Sequence, residues 1–67
     1  MNENLKKLTL SIPEAANLLG VSPPLVYRLV HRVDFPAFKI GCRTVISRSG
    51  LEEWVQKMAE RGDVDAL

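Results

Sequence analysis

The chain has 67 residues, of which 46% are hydrophobic and 25% charged, with a net charge of +1. That length holds one domain, which buries only about 60% of the surface its unfolded chain exposes. The balance is that of an ordinary globular domain, no apolar run reaches the roughly 18 residues of a membrane span, and a single cysteine excludes an internal disulfide.

Lys6 and Lys7 precede a short apolar stretch, but Pro13, Glu14 and Asn17 interrupt it too early for a secretion signal. A cytoplasmic protein is therefore expected. His31 and Cys42 are too few soft ligands for structural zinc, so neither a metal nor a cofactor is expected.

The charge is unevenly spread. Between Ser22 and Arg48 stand Arg28, Arg32, Lys39, Arg43 and Arg48 against Asp34 alone, a local +4. From Ser49 onward Glu52, Glu53, Glu60, Asp63 and Asp65 outweigh Lys57 and Arg61, a local −3. One electropositive segment in a nearly neutral chain points to an anionic partner met by one face.

Residues 1–7 read as a flexible N-terminus, 8–61 as the domain and 62–67 as a flexible tail. Leu8-Thr9-Leu10 alternates apolar and polar, as a very short strand or extended lead-in does. Ser11 and Glu14 form a capping-box pattern with Pro13 in the first turn, which predicts a helix. Ile12, Ala15, Ala16 and Leu19 share its apolar face, and Gly20 ends it. Ser22 is the next N-cap, with Pro23 and Pro24 in the first turn of a second helix predicted to run to about Val33. Its apolar face is Leu25, Val26, Leu29, Val30 and Val33; Pro24, Tyr27, Arg28 and His31 lie opposite. Two short helices joined so tightly must cross at a large angle and share a core, which is the helix-turn-helix unit. Small Ala16, four residues before Gly20, allows the close approach. The alternative is an αα-hairpin that merely packs.

Asp34-Phe35-Pro36 breaks the helix. Phe38-Lys39-Ile40, a turn at Gly41-Cys42-Arg43 and Thr44-Val45-Ile46 predict a two-stranded hairpin. Ser47 caps a third helix from Arg48 to about Arg61, with an apolar stripe of Leu51, Trp54, Val55 and Met58, and Gly62 stops it. Trp54 reads as a core anchor. The expected fold is α+β, mostly α: a small winged helix-turn-helix with a two-helix unit, a β-hairpin wing and a bracing C-terminal helix.

The chain resembles the excisionase-type and MerR-like winged helix-turn-helix proteins over about residues 8–58. The residues that carry the likeness are Leu10-Ser11-Ile12-Pro13-Glu14-Ala15-Ala16, Leu19-Gly20-Val21-Ser22, Val26-Tyr27-Arg28-Leu29-Val30, Phe35-Pro36-Ala37-Phe38-Lys39-Ile40-Gly41 and Ile46-Ser47-Arg48-Ser49-Gly50-Leu51-Glu52-Glu53-Trp54. The resemblance implies that the second helix enters the major groove of duplex DNA, the wing touches the adjacent minor groove or backbone, and the third helix braces both. Ser22, Pro23, Pro24, Tyr27, Arg28, His31 and Arg32 on the helix, and Lys39, Arg43 and Thr44 on the wing, are then the expected DNA-facing residues. Two positions depart from the family pattern. Pro23-Pro24 stands where polar residues are common, and Thr44 stands where an aromatic is common.

The chemistry agrees, because affinity for closely spaced phosphates comes from several cations on one surface. Arg28 can fork onto a phosphate or a guanine edge, and Tyr27 can donate its hydroxyl to a phosphate. Adjacent Glu52 and Glu53 do not share a helix face as a catalytic pair would, and no nucleophile–base pairing stands out, so an enzyme is not expected. The expected function is sequence-specific DNA binding as an excisionase of a phage or mobile element, with a site-specific recombinase (integrase) and neighbouring copies on DNA as partners. The acidic stretch Glu60 to Asp65 is a surface for meeting either. The alternatives are a small prophage-type transcriptional regulator using the same surface and a protein-interaction module without DNA binding.

Overall fold

The structure is a computed structural model that describes residues 7–62. Residues 1–6 and 63–67, and with them most of the flexible ends expected at 1–7 and 62–67, lie outside the described residues. In chain order the elements are β1 (Thr9–Leu10), α1 (Ile12–Leu19), α2 (Pro23–Leu29), β2 (Ala37–Ile40), β3 (Arg43–Ser47) and α3 (Arg48–Arg61). Three helices and a three-stranded antiparallel sheet make the expected mostly helical α+β fold.

The ends of α1 follow from local chemistry. Glu14 N donates to Ser11 Oγ at 3.2 Å, and Ser11 N donates to Glu14 Oε1 at 2.8 Å, so two orphan donors are satisfied reciprocally. Lys7 Nζ pairs with the other carboxylate oxygen, Oε2, at 2.7 Å. At the far end Gly20 takes φ 75°, which costs glycine nothing. Its N–H bonds Asn17 O at 3.2 Å and Val21 N bonds Ala16 O at 3.0 Å, the paired closures of a Schellman motif.

Only Gly20, Val21 and Ser22 separate α1 from α2, so the helices cross and share a core at fully buried Ala15 and Val26. Two expectations fail here. Ser22 holds the extended N-cap backbone, but its side chain makes no capping bond. The second helix ends at Leu29, not near Val33. Beyond Val30 the chain tightens into three-residue closures, His31 N to Arg28 O and Arg32 N to Leu29 O. One of the contacts that accompany this is local and one is tertiary. Arg32 forks onto Asp34, with Nε–Oδ1 at 2.9 Å and Nη2–Oδ2 at 3.1 Å. Residues two apart on a helix point away from each other, so that fork needs the helix to have ended. Phe35 meanwhile turns inward, edge-on to Trp54 with centroids 4.9 Å apart. Val33, expected on the apolar face, is left fully exposed at the turn.

The hairpin forms with Phe38 opposite Val45, Lys39 opposite Thr44 and Ile40 opposite Arg43. Arg43 is therefore the first residue of β3, and the turn is the two residues Gly41 and Cys42. Gly41 has φ 62° and Cys42 is not left-handed, the type II′ pattern that suits the twist of a hairpin. The lead-in strand is not isolated: Thr9 pairs with Ser47 and Leu10 with Ile46, which makes β3 the central strand. Ile46 is fully buried there.

Ser47 Oγ accepts from Gly50 N at 3.0 Å to start α3, and Gly62 at φ 99° ends it. Leu51, Trp54 and Met58 are buried, but Val55, expected in the same stripe, is exposed. Val55 instead lines an open groove between α3 and the end of α1, with Leu18, Leu19 and Leu51. The connector between α2 and β2 lies against the first turn of α3: a Cβ placed on Gly50 would stand 2.7 Å from Pro36 Cβ.

Candidate nucleic-acid interface

On α2, Val26 and Leu29 face the core, and this turns Tyr27 and Arg28 outward; Tyr27 is 57% exposed. Ser22, Pro23 and Pro24 are exposed at the start of the helix. Neither proline has an N–H, and Leu25 N is already bonded to Ser22 O at 3.1 Å. The front of α2 therefore offers few backbone donors to an anion, and recognition falls to the side chains of Tyr27 and Arg28. His31 is exposed but sits in the turn beyond the helix.

Arg32 stands apart from these. Its guanidinium is engaged by Asp34, and the Asp34 carboxyl is held below its ordinary 3.8, chiefly by that hydrogen bond. The Trp54 indole N–H lowers it further. That N–H is buried and makes no hydrogen bond among the described residues. The cluster joins the connector to α3 and fixes where the wing leaves the helical part.

The wing carries Lys39, Arg43 and the half-buried Thr44. Directly opposed residues of an antiparallel pair share a sheet face, and successive residues alternate. Lys39 and Thr44 therefore occupy one face, and Arg43 and Ile40 the other. The two wing cations flank the hairpin; they do not line one side of it. Exposed Phe38 and Ile40 lie on the Arg43 face. In the sequence both are ordinary strand residues, since alternation shows which side chains share a face and not whether anything covers it. Cys42 is exposed in the turn.

The structure thus brings Tyr27 and Arg28 together on α2, and Lys39, Arg43 and Thr44 together around the hairpin tip. Among the described residues no helix is long and apolar enough to cross a membrane. A family model described as a helix-turn-helix domain matches residues 9–59. No curated protein and no solved structure matches the chain.

Proposed function

Because the chain belongs to this helix-turn-helix domain family, a DNA-binding family that includes excisionase-like proteins, we propose that it reads duplex DNA with α2 and the wing and directs a site-specific recombinase toward excision. The observation that carries the proposal is the exposure of Tyr27 and Arg28 on the outer face of α2, together with a hairpin tip that has a cation on either side. Tyr27 and Arg28 meet the major groove, with Ser22, Pro23, Pro24 and His31 at its edges. Lys39, Arg43 and Thr44 meet the neighbouring backbone. Arg32, held by Asp34, contributes field more than contact.

With three cations at the phosphates, one copy reaches limited affinity. An excision factor overcomes this by occupying adjacent sites cooperatively and touching its neighbours or the integrase. Glu60 is exposed at the end of α3 and available for such contacts; Asp63 and Asp65 of the acidic stretch lie outside the described residues. The test is a recombination assay with purified integrase and attachment-site DNA. Excision that requires the chain, and is lost with Arg28→Ala, supports the proposal. Excision that proceeds equally without it, beside a promoter that responds to it, makes the chain a transcriptional regulator.

A further inference from the structure

The chain enters the described fold where α1 and α3 both begin. Lys7 Nζ pairs with Glu14 of α1 at 2.7 Å, and Leu8 O accepts from Arg48 N, the first residue of α3, at 3.0 Å. A furrow opens from this point. Its near stretch is lined by Lys7, Glu14 and Asn17 and its far stretch by Leu19, Leu51 and Val55, while Leu18 and Arg48 line both. The two stretches are therefore one continuous path. Residues four apart on a helix share a face, so Glu14 and Leu18 form one wall and Arg48, Glu52 and Val55 the other. The far stretch is apolar and open, with Leu18 55% and Val55 41% exposed. Among the described residues Arg48 forms no ion pair.

The position, length and pattern of one segment match this furrow. Met1-Asn2-Glu3-Asn4-Leu5-Lys6 lies outside the described residues and leads directly into Lys7, at the furrow's mouth. Six residues span up to about 20 Å, whereas Arg48 to Val55 is about 10 Å of helix. Met1 and Leu5 are four apart, a spacing that places them on the same side of either a strand or a helix. Glu3 between them is the acid that complements Arg48. Residues 63–67 match less well, because they follow α3 past Val55 and would bring Asp63 and Asp65 toward Glu52, a like charge.

In place of the flexible N-terminus expected for residues 1–7, we propose that residues 1–6 are a strap seated in the furrow. Leu5 packs on Leu18, Glu3 meets Arg48 and Met1 covers Val55. The strap closes the apolar path that α1 and α3 leave open and ties the two helices together. None of the residues proposed to face DNA lines these two stretches, so the inference stands apart from the DNA reading.

The test is paramagnetic relaxation in the full chain. A nitroxide on Asn4→Cys, with Cys42→Ser removing the exposed thiol, broadens the amides of Leu18, Glu52 and Val55 and spares those of Tyr27 and Arg28 at every protein concentration. Leu5→Ser abolishes that selective broadening. In the parent background Leu5→Ser lowers the melting temperature by about 4–8 °C as Leu18 and Val55 return to water. Leu18→Ser then costs less in the Leu5→Ser background than in the parent, because the contact is already lost. Broadening without preference for the furrow overturns the strap, and so does a Leu5→Ser protein that melts like the parent. Broadening that passes from a spin-labelled chain to a separate unlabelled one, and fades on dilution, overturns it in favour of a second copy's segment.

Discussion

Replacing Gly50 by alanine sets two effects of opposite sign against each other. Gly50 is the third residue of α3, and its N–H is the one that Ser47 Oγ caps. Helix propensity alone favours alanine by about 0.5–1 kcal/mol, and less in a first turn than in a helix interior. The structure opposes this. The new Cβ would stand 2.7 Å from Pro36 Cβ and 3.1 Å from Ser47 Oγ, and the nearest atom belongs to a rigid ring in a connector fixed by Phe35 and Asp34. Overpacking of this kind costs about 1–3 kcal/mol, so a net loss of about 0.5–2 kcal/mol is expected. For a domain of this size each kcal/mol lowers the melting temperature by about 4–8 °C. Thermal and urea unfolding of Gly50→Ala and of Gly50→Ala with Pro36→Gly measure it. The second change removes the clashing Cβ, so the pair should couple favourably once each single cost is subtracted. A Gly50→Ala protein more stable than its parent would refute the close seating of the connector on α3.

Trp54→Ala removes the ring that packs on Phe35 and should cost about 3–5 kcal/mol, enough to unfold most of a small domain, whereas Arg28→Ala should move stability by no more than about 0.5 kcal/mol while weakening duplex binding. A Trp54→Ala protein that melts like the parent would show that the ring is not part of the core. The Glu14 carboxyl is lowered from 4.5 to about 2, first by the Lys7 hydrogen bond and then by the Ser11 N–H. A depressed carboxylate stabilises the fold above its unfolded value and loses that contribution as pH falls through the folded one. Protection of the Ala15 and Ala16 amides against hydrogen exchange should therefore decline between pH 4.5 and about 2, and Glu14→Gln should flatten that decline; an unchanged profile would remove the charged capping box.

Much of this fold was legible because its signals are local. Ser11, Glu14 and Gly20 define α1 from within its own sequence, and Ser47 and Gly62 do the same for α3. The end of α2 was not legible, since it depends on a side-chain fork between Arg32 and Asp34 inside the connector and on Phe35 meeting Trp54 of α3. Val33 and Val55 fit their apolar stripes and still end exposed, because periodicity names a face without naming its cover. The alternation Leu8-Thr9-Leu10 was too short to identify β3 as its partner. The wing register was within reach. A glycine at the first position of a two-residue turn pairs Ile40 with Arg43 and sets Lys39 on the opposite face, but assigning Arg43 to the turn concealed it.

The central claim is that α2 and the wing hold a small set of cations at DNA phosphates, with Arg32 withdrawn by Asp34. Equilibrium binding of a labelled duplex over a range of salt concentrations tests it most directly. Contacts from Arg28, Lys39 and Arg43 predict a log–log slope of about −2.7. A flat slope, or no binding at the lowest salt, would contradict the claim.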